Sequence, residues 1–373
     1  MIDKSRKTIL YIVLPVLLIV LAVACDGATV KQLGIFAISR NDVVLGQDGV
    51  SPIPIGDDLY MWTFADTLLG VRKKGAELTA GSTFNTAHLN INVVLSNSLA
   101  FSKSPSASRM PDLKMTFYRE DNKIVPFVKH ATGESPLIWR FWTTDGIKIG
   151  QYVYVYYMKI KKPYADAPFE EILEKGVGLA RWKMPGDWEI GDPVRFERLG
   201  TLFPEGFPNF GDAVIQHDGY IYTIGHYIEK AGSIPITGKA KIARVLPRLI
   251  ENRKDYRYLT QKGNWTPDIN KAHGFFKGVT GECSLSYHAE RKRFVIVFCE
   301  QFSGNIHLIQ FDDFEALQSA ASEIIYSPKP LREDPTGKLM YYSAKEIFYA
   351  HPFIYIIYIH PLIYQPILIS VRL

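Results

Sequence analysis

Apolar and polar side chains alternate along short runs of this chain, as in Asp58-Leu59-Tyr60-Met61-Trp62-Thr63-Phe64 and Gln151-Tyr152-Val153-Tyr154-Val155-Tyr156, with Gly, Asp and Pro between the runs. A period of two rich in Tyr, Val and Ile predicts strands. Helical periodicity is confined to 167–175 and 313–323, both expected as short helices in connections. One unit recurs: an acid opens a strand, a polar turn follows, and a second strand rich in Tyr, Phe, Val and Ile comes after it. Its copies are Gly46-Gln47-Asp48-Gly49 leading to 59–66, Trp142-Thr143-Thr144-Asp145-Gly146 to 152–158, Phe210-Gly211-Asp212-Ala213 to 220–225, Gly281-Glu282-Cys283-Ser284 to 294–299, and Lys345-Glu346 to 354–359. The acids stand 97, 67, 70 and 64 residues apart, a regular step with one early insertion.

Five such units fit an all-β, five-bladed β-propeller whose blades each place their first strand along a central axis. Asp48, Asp145, Asp212, Glu282 and Glu346 are then expected as a ring around one mouth of the channel. Asp before Gly also makes turns with no further role, but five copies at matching positions favour the ring. Residues 347–373 are apolar and carry no charge before Arg372, yet Pro352, Pro361 and Pro366 interrupt them. That excludes one membrane helix. It predicts buried strands of a last blade, with 366–371 closing the ring beside an N-terminal strand near 34–38.

The N-terminus follows a different pattern. Basic residues precede an apolar run over 9–24 that Pro15 breaks once, too short for a comfortable membrane span and typical of a signal peptide. Ala22-Val23-Ala24-Cys25 resembles a lipobox, which predicts cleavage after residue 24, lipid on Cys25, a stem over 25–33 and one domain over 34–373. The expected location is the cell envelope, anchored to a membrane on its periplasmic or outer side; an uncleaved membrane anchor is the other reading. Of the formal charge of +5, Lys4, Arg6 and Lys7 against Asp3 contribute +2 within that leader. The remainder is spread along the chain and gives no nucleic-acid footprint. The 13% aromatic content suits strands and carbohydrate surfaces. After export only Cys283 and Cys299 remain, and a turn near Glu290-Arg291 would set them on facing strands, where a disulfide can form. No Cys and His cluster has zinc-ligand spacing, and no metal site is predicted from such spacing.

Chemistry is expected where two acids meet. If Gly56-Asp57-Asp58 turns the first hairpin, counting outward sets Asp48 across from Asp66. Facing residues of an antiparallel pair have Cβ atoms about 4.5–5.5 Å apart. Two carboxylates so placed push their pKa values apart, so one keeps a proton while the other stays ionised. Glycoside hydrolysis needs such a pair, and a calcium ion at the channel mouth is the alternative use of these acids.

Asp42-Val43-Val44, Gly46-Gln47-Asp48-Gly49, Leu59-Tyr60-Met61-Trp62-Thr63-Phe64-Ala65-Asp66-Thr67 and Asn97-Ser98-Leu99-Ala100 resemble the first blade of a five-bladed propeller family, formerly a domain of unknown function, that includes endo-D-arabinanases. Trp142 with Asp145-Gly146, Gly211-Asp212-Ala213 and Tyr342-Ser343-Ala344-Lys345-Glu346 resemble its later blades. The resemblance implies a polysaccharide substrate containing furanose, such as arabinan. It also implies catalytic roles for Asp48 and Asp66, with Asp145, Asp212 and Glu282 shaping the subsites; apart from the resemblance, Glu282 is a further catalytic candidate, and Trp142, by stacking, and His226, from the channel mouth, are expected to bind substrate. Asp48 is expected as base or nucleophile and Asp66 as its proton-sharing partner or the acid; the reverse assignment, and Glu282 as acid across the channel, stay open. The chain departs from the family at Ala65, usually Gly, and at the apolar Ile347-Phe348.

His88 and His217 are expected as a strand residue and a turn residue, and Trp139 and Trp265 as core or sugar-stacking residues. Asn264-Trp265-Thr266 matches a glycosylation acceptor without meaning in such a lipoprotein. Phosphate-loop, serine-elbow and zinc-protease motifs are absent. The expected protein is a monomeric lipoprotein that hydrolyses polysaccharide, with a non-catalytic glycan-binding or adhesion protein as the rival and an assembly scaffold as a third reading.

Overall fold

The structure, a computed structural model, describes residues 29–37, 43–73, 89–165, 171, 173–231, 234–331 and 339–373. The expected leader, Cys25, His88 and most of 167–175 lie outside the described residues. Among the described residues, five antiparallel sheets of four or five strands follow one another. The first orders Ser51–Gly56, Leu59–Phe64, Ser98–Ser102 and Thr116–Phe117; the second orders Trp139–Ile149, Tyr152–Lys161, Leu173–Lys183 and Glu197–Phe203. The third runs Ala213–His217, Tyr220–Gly225, Lys241–Val245, Arg257–Leu259 and Trp265–Thr266. The fourth runs Ser284–His288, Arg293–Cys299, Ile306–Phe311 and Ser322–Tyr326. In the fifth, Tyr342–Ala350, Phe353–His360 and Gln365–Arg372 are completed by Val30–Ile35 from the N-terminal side. That last pairing begins four residues before the strand expected at 34–38, with Val30 opposite Val371.

The sheets pack face to face through apolar side chains. Ile53, Met61 and Phe101 of the first meet Phe141, Val153 and Trp182 of the second. Further clusters join the second sheet to the third, the third to the fourth and the fourth to the fifth. Trp62 and Phe64 of the first sheet also share a cluster with Tyr355, Ile357 and Leu368 of the fifth. Both faces of a middle strand are therefore covered, which is why Phe353–His360 reads as a nearly unbroken apolar run instead of an alternating one. The first strands also touch in order: Ser51–Gly56 with Trp139–Ile149, then Ala213–His217, Ser284–His288 and Tyr342–Ala350, which contacts Ser51–Gly56 again.

Two sequence expectations are corrected. Residues 313–323 form only a short 3₁₀ turn, Ala316–Ser319, before the strand Ser322–Tyr326, because the apolar face there completes a sheet. At 167–175, the described end belongs to the strand Leu173–Lys183. The cysteines are free and buried. The hairpin pairs Ser284 with Val297, so Cys283 and Cys299 are not directly opposite. They enter different clusters, Cys283 between the third and fourth sheets and Cys299 between the fourth and fifth.

Candidate active site

The first hairpin extends beyond its sheet. Val44–Gln47 and Thr67–Arg72 continue the two strands into a smaller sheet with Leu89–Leu95. The pairs Ser51 with Thr63 and Gln47 with Thr67 belong to one unshifted register, and Asp48 and Asp66 face each other in the break between them. The Asp48 amide donates to the Asp66 carbonyl at 3.2 Å, and the Ala65 amide donates to the Asp48 carbonyl at 2.9 Å. Gly49 makes the break feasible: its φ is +57°, and a Cβ there would stand 2.6 Å from the Ala65 Cβ and 3.2 Å from Glu282 Oε1.

The two carboxyl groups sit in different surroundings. Asp48 Oδ2 accepts hydrogen bonds from the Tyr364 hydroxyl at 2.6 Å and the Tyr342 hydroxyl at 3.0 Å. Its Oδ1 is buried without a hydrogen-bond partner. Burial, reinforced by the Asp66 charge, pushes Asp48 up to about 8, against the opposing pull of the Tyr364 bond. Asp66 Oδ1 accepts from Arg140 Nη2 at 2.5 Å and Trp142 Nε1 at 3.0 Å. Burial raises Asp66 as well, while the Arg140 guanidinium, then Trp142, favour its ionised form. Arg140 and Trp142 are alternate residues of one strand, which lets both reach the same carboxylate.

Further acids stand at or just before the first strands of the next sheets. Asp145 accepts from the Gly146 amide at 2.8 Å and, across to the third sheet, from the Val214 amide at 2.7 Å. Burial lifts it to about 6, with the Lys345 charge the main opposing influence. Asp212 Oδ2 lies 2.5 Å from His226 Nδ1, and both side chains are almost fully buried. Burial raises Asp212, against His226. Burial alone would lower His226, but the Asp212 charge and hydrogen bond prevail and raise it. Glu282 is buried, accepts from the Ser343 hydroxyl, and its charge acts on Asp48, Asp145 and Asp212. A cavity of about 330 Å³ continues along the first strands, lined by Ser51, Asp145, Gln216, Cys283, Lys345 and Glu346 among others.

Asp48, Asp66, Asp145, Asp212 and Glu282 are thus brought together, with Trp142 on Asp66 and His226 on Asp212. Glu346 is not part of that group. Its Oε1 meets His288 Nε2 at 2.8 Å and its Oε2 accepts from Ser286 at 2.9 Å, so it is spent on the fourth sheet. Lys345, one position earlier, takes the place expected for an acid, following a register shift between Tyr342 and Lys345. Trp139 lies beneath Lys159 and Lys161, and Trp265 packs on the core beside Arg244. His217 ends the strand Ala213–His217, 3.2 Å from Asp218, instead of sitting in the turn. Sequence reasoning missed Arg140, Tyr364 and the role of Tyr342; Arg140 was within reach, two residues from Trp142 on the same strand. Among the described residues no group of three His, Cys, Asp or Glu side chains is arranged to hold a metal ion.

A family model described as a domain of unknown function, DUF4185, matches residues 73–370. No curated protein sequence matches. Among solved structures, a protein of Bacteroides ovatus ATCC 8483 described as a presumed hydrolase aligns with a TM-score of 0.64 at 12% identity, over 90% of this chain and 87% of its own. An α-L-arabinofuranosidase from Lactobacillus brevis aligns with a TM-score of 0.47 at 10% identity, over 89% and 91%. A GH43_1 enzyme from Xanthomonas citri complexed with xylose gives 0.47 at 13%, over 92% and 89%. The first of these likenesses is one of fold; the other two are too distant to argue from.

Proposed function

The chain belongs to this family, DUF4185, and from the geometry of its acids we propose that it is a glycoside hydrolase acting on envelope or extracellular polysaccharide that contains furanose, in the manner of an endo-arabinanase. The observation that carries the proposal is the pair Asp48 and Asp66, opposed across one ladder, the first bonded to two tyrosines and the second to Arg140 and Trp142. Asp48 keeps its proton at neutral pH, pushed up to about 8. With Oδ2 occupied by two tyrosines, Oδ1, which has no partner, would give that proton to a leaving glycosidic oxygen as the C–O bond breaks. Asp66, beside Arg140, serves as the carboxylate that activates water or attacks the anomeric carbon. This is the reverse of the assignment favoured by sequence. Asp145, Asp212, Glu282, Trp142 and His226 would hold sugar hydroxyls around the pair.

The sheet contacts support a five-bladed propeller in this reading, since the first strands touch in sequence and the fifth sheet packs on the first. The leader pattern supports export and lipid on Cys25, which would anchor a monomeric domain to the envelope. Reducing-sugar release from arabinan and related polymers, by wild type and by Asp48→Ala, tests the hydrolase. Wild type that binds glycan yet releases nothing across the panel would favour the non-catalytic binding protein instead. Palmitate incorporation that survives Cys25→Ser would remove the anchor from the proposal.

A further inference from the structure

The ammonium of Lys345 is an unusual guest where five strands converge. The side chain is 2% exposed. Its Nζ donates to Ser51 Oγ of the first sheet at 2.5 Å and to the Thr144 carbonyl of the second at 2.9 Å, while the lysine itself belongs to the fifth. One charged group thereby ties three first strands together. A buried cation without compensating anions costs several kcal/mol, so its neighbours matter. The second sheet brings Asp145 and Lys148 toward it, the approach to the third brings Asp212, the approach to the fourth brings Glu282 and Cys283, and its own strand brings Glu346. Ser51 and Pro52 of the first sheet add no charge.

We propose that Lys345 is a positioning residue, an internal counter-ion to Asp145 beside the Asp48 and Asp66 pair, a fixed ammonium in the place of a bound cation on the axis. The arrangement explains why the fifth unit presents a base where the other four present acids. Four carboxylates converging without a cation would repel one another and take up protons. A fixed ammonium relieves that repulsion, and it is held by hydrogen bonds to groups that bear no charge, so its position does not depend on the state of any acid. In the hydrolase reading, on which this role rests for its catalytic consequence, ionised Asp145 accepts hydrogen bonds from sugar hydroxyls.

The test separates the two layers. Thermal unfolding of the full chain is measured at pH 5 and pH 8 for wild type, Lys345→Met and Lys345→Gln, with no substrate present. Without the ammonium, the folded state binds protons more tightly than the unfolded one, so stability falls as pH rises through the acids' titration. The expected result is a melting-temperature deficit at least about twice as large at pH 8 as at pH 5. A deficit equal at both pH values would make Lys345 a packing element and overturn the proposal, as would failure of both variants to fold even at pH 5. The hydrolase reading is addressed separately: if wild type cleaves arabinan, the acid limb of kcat/KM in Lys345→Met moves to higher pH. Absence of any cleavage by wild type would count against the hydrolase and leave the melting result to judge the counter-ion.

Discussion

Replacing Tyr364 by Phe removes one hydroxyl and nothing else, and it separates the two roles open to Asp48. The ring stays, so the packing of the Tyr364 backbone and side chain against Gly46, where a Cβ would have only 2.6 Å, is undisturbed. What is lost is the 2.6 Å bond to Asp48 Oδ2, leaving Tyr342 at 3.0 Å as the remaining phenol. A hydrogen bond to a charged group contributes about 1.5–3 kcal/mol, and a factor of ten in protonation corresponds to about 1.4 kcal/mol. Because that bond favours the anion, its loss raises Asp48 from about 8 to about 9–10. If Asp48 is the acid it must be protonated. At pH 9 a group with a pKa of about 8 is protonated in roughly one molecule in eleven, whereas one at about 9–10 is protonated in half or more. The alkaline limb of kcat/KM on a cleavable arabinan fragment therefore moves outward, and relative activity at pH 9 rises about five- to tenfold. If Asp48 were the base, the acid limb would move instead and activity at pH 7 would drop by roughly tenfold or more. An unmoved alkaline limb with a displaced acid limb would refute the assignment of Asp48 as acid.

Asp48→Asn should abolish most activity, by about 10²–10⁴-fold, and yet raise stability at alkaline pH. Asp48 lies above its ordinary value, so what it contributes to stability is present at low pH and lost as pH rises through about 8. The variant's melting-temperature advantage should be absent near pH 3, below the ordinary carboxyl pKa, and grow to its full size by pH 9. Gly49→Ala forces a positive φ and a 2.6 Å contact with Ala65, so it should cost about 1–3 kcal/mol in urea unfolding and disturb the Asp48 and Asp66 apposition. Glu134 is held down to about 2, first by its hydrogen bond to Arg198. Its stabilisation is present above the ordinary carboxyl range and lost as pH falls through about 2, so Glu134→Gln should cost about 1–2 kcal/mol at pH 7 and little at pH 2.

Hairpin register was legible to within one residue because it is local counting: centred on Asp57 it sets Asp48 across from Asp66, and the structure reaches that pairing through a turn with Gly56 opposite Leu59 and a one-residue shift before Pro54 meets Tyr60. The strands of each repeat were legible for the same reason, since side-chain alternation and turn residues act within a few positions. Tertiary structure decided what lies far apart in sequence. Arg140 reaches Asp66 across 74 positions and Tyr364 reaches Asp48 across 316; strand alternation hinted at Arg140 through Trp142, but nothing in the local pattern announces Tyr364. A register shift between Tyr342 and Lys345 sets Lys345, not Glu346, on the buried side, and such a shift depends on pairing with a strand the local pattern does not name. The proton balance of the acids was equally out of reach of the sequence. Desolvation is the leading cause of the upward shift at Asp48, Asp66, Asp145 and Asp212, and desolvation exists only once the sheets have packed around them.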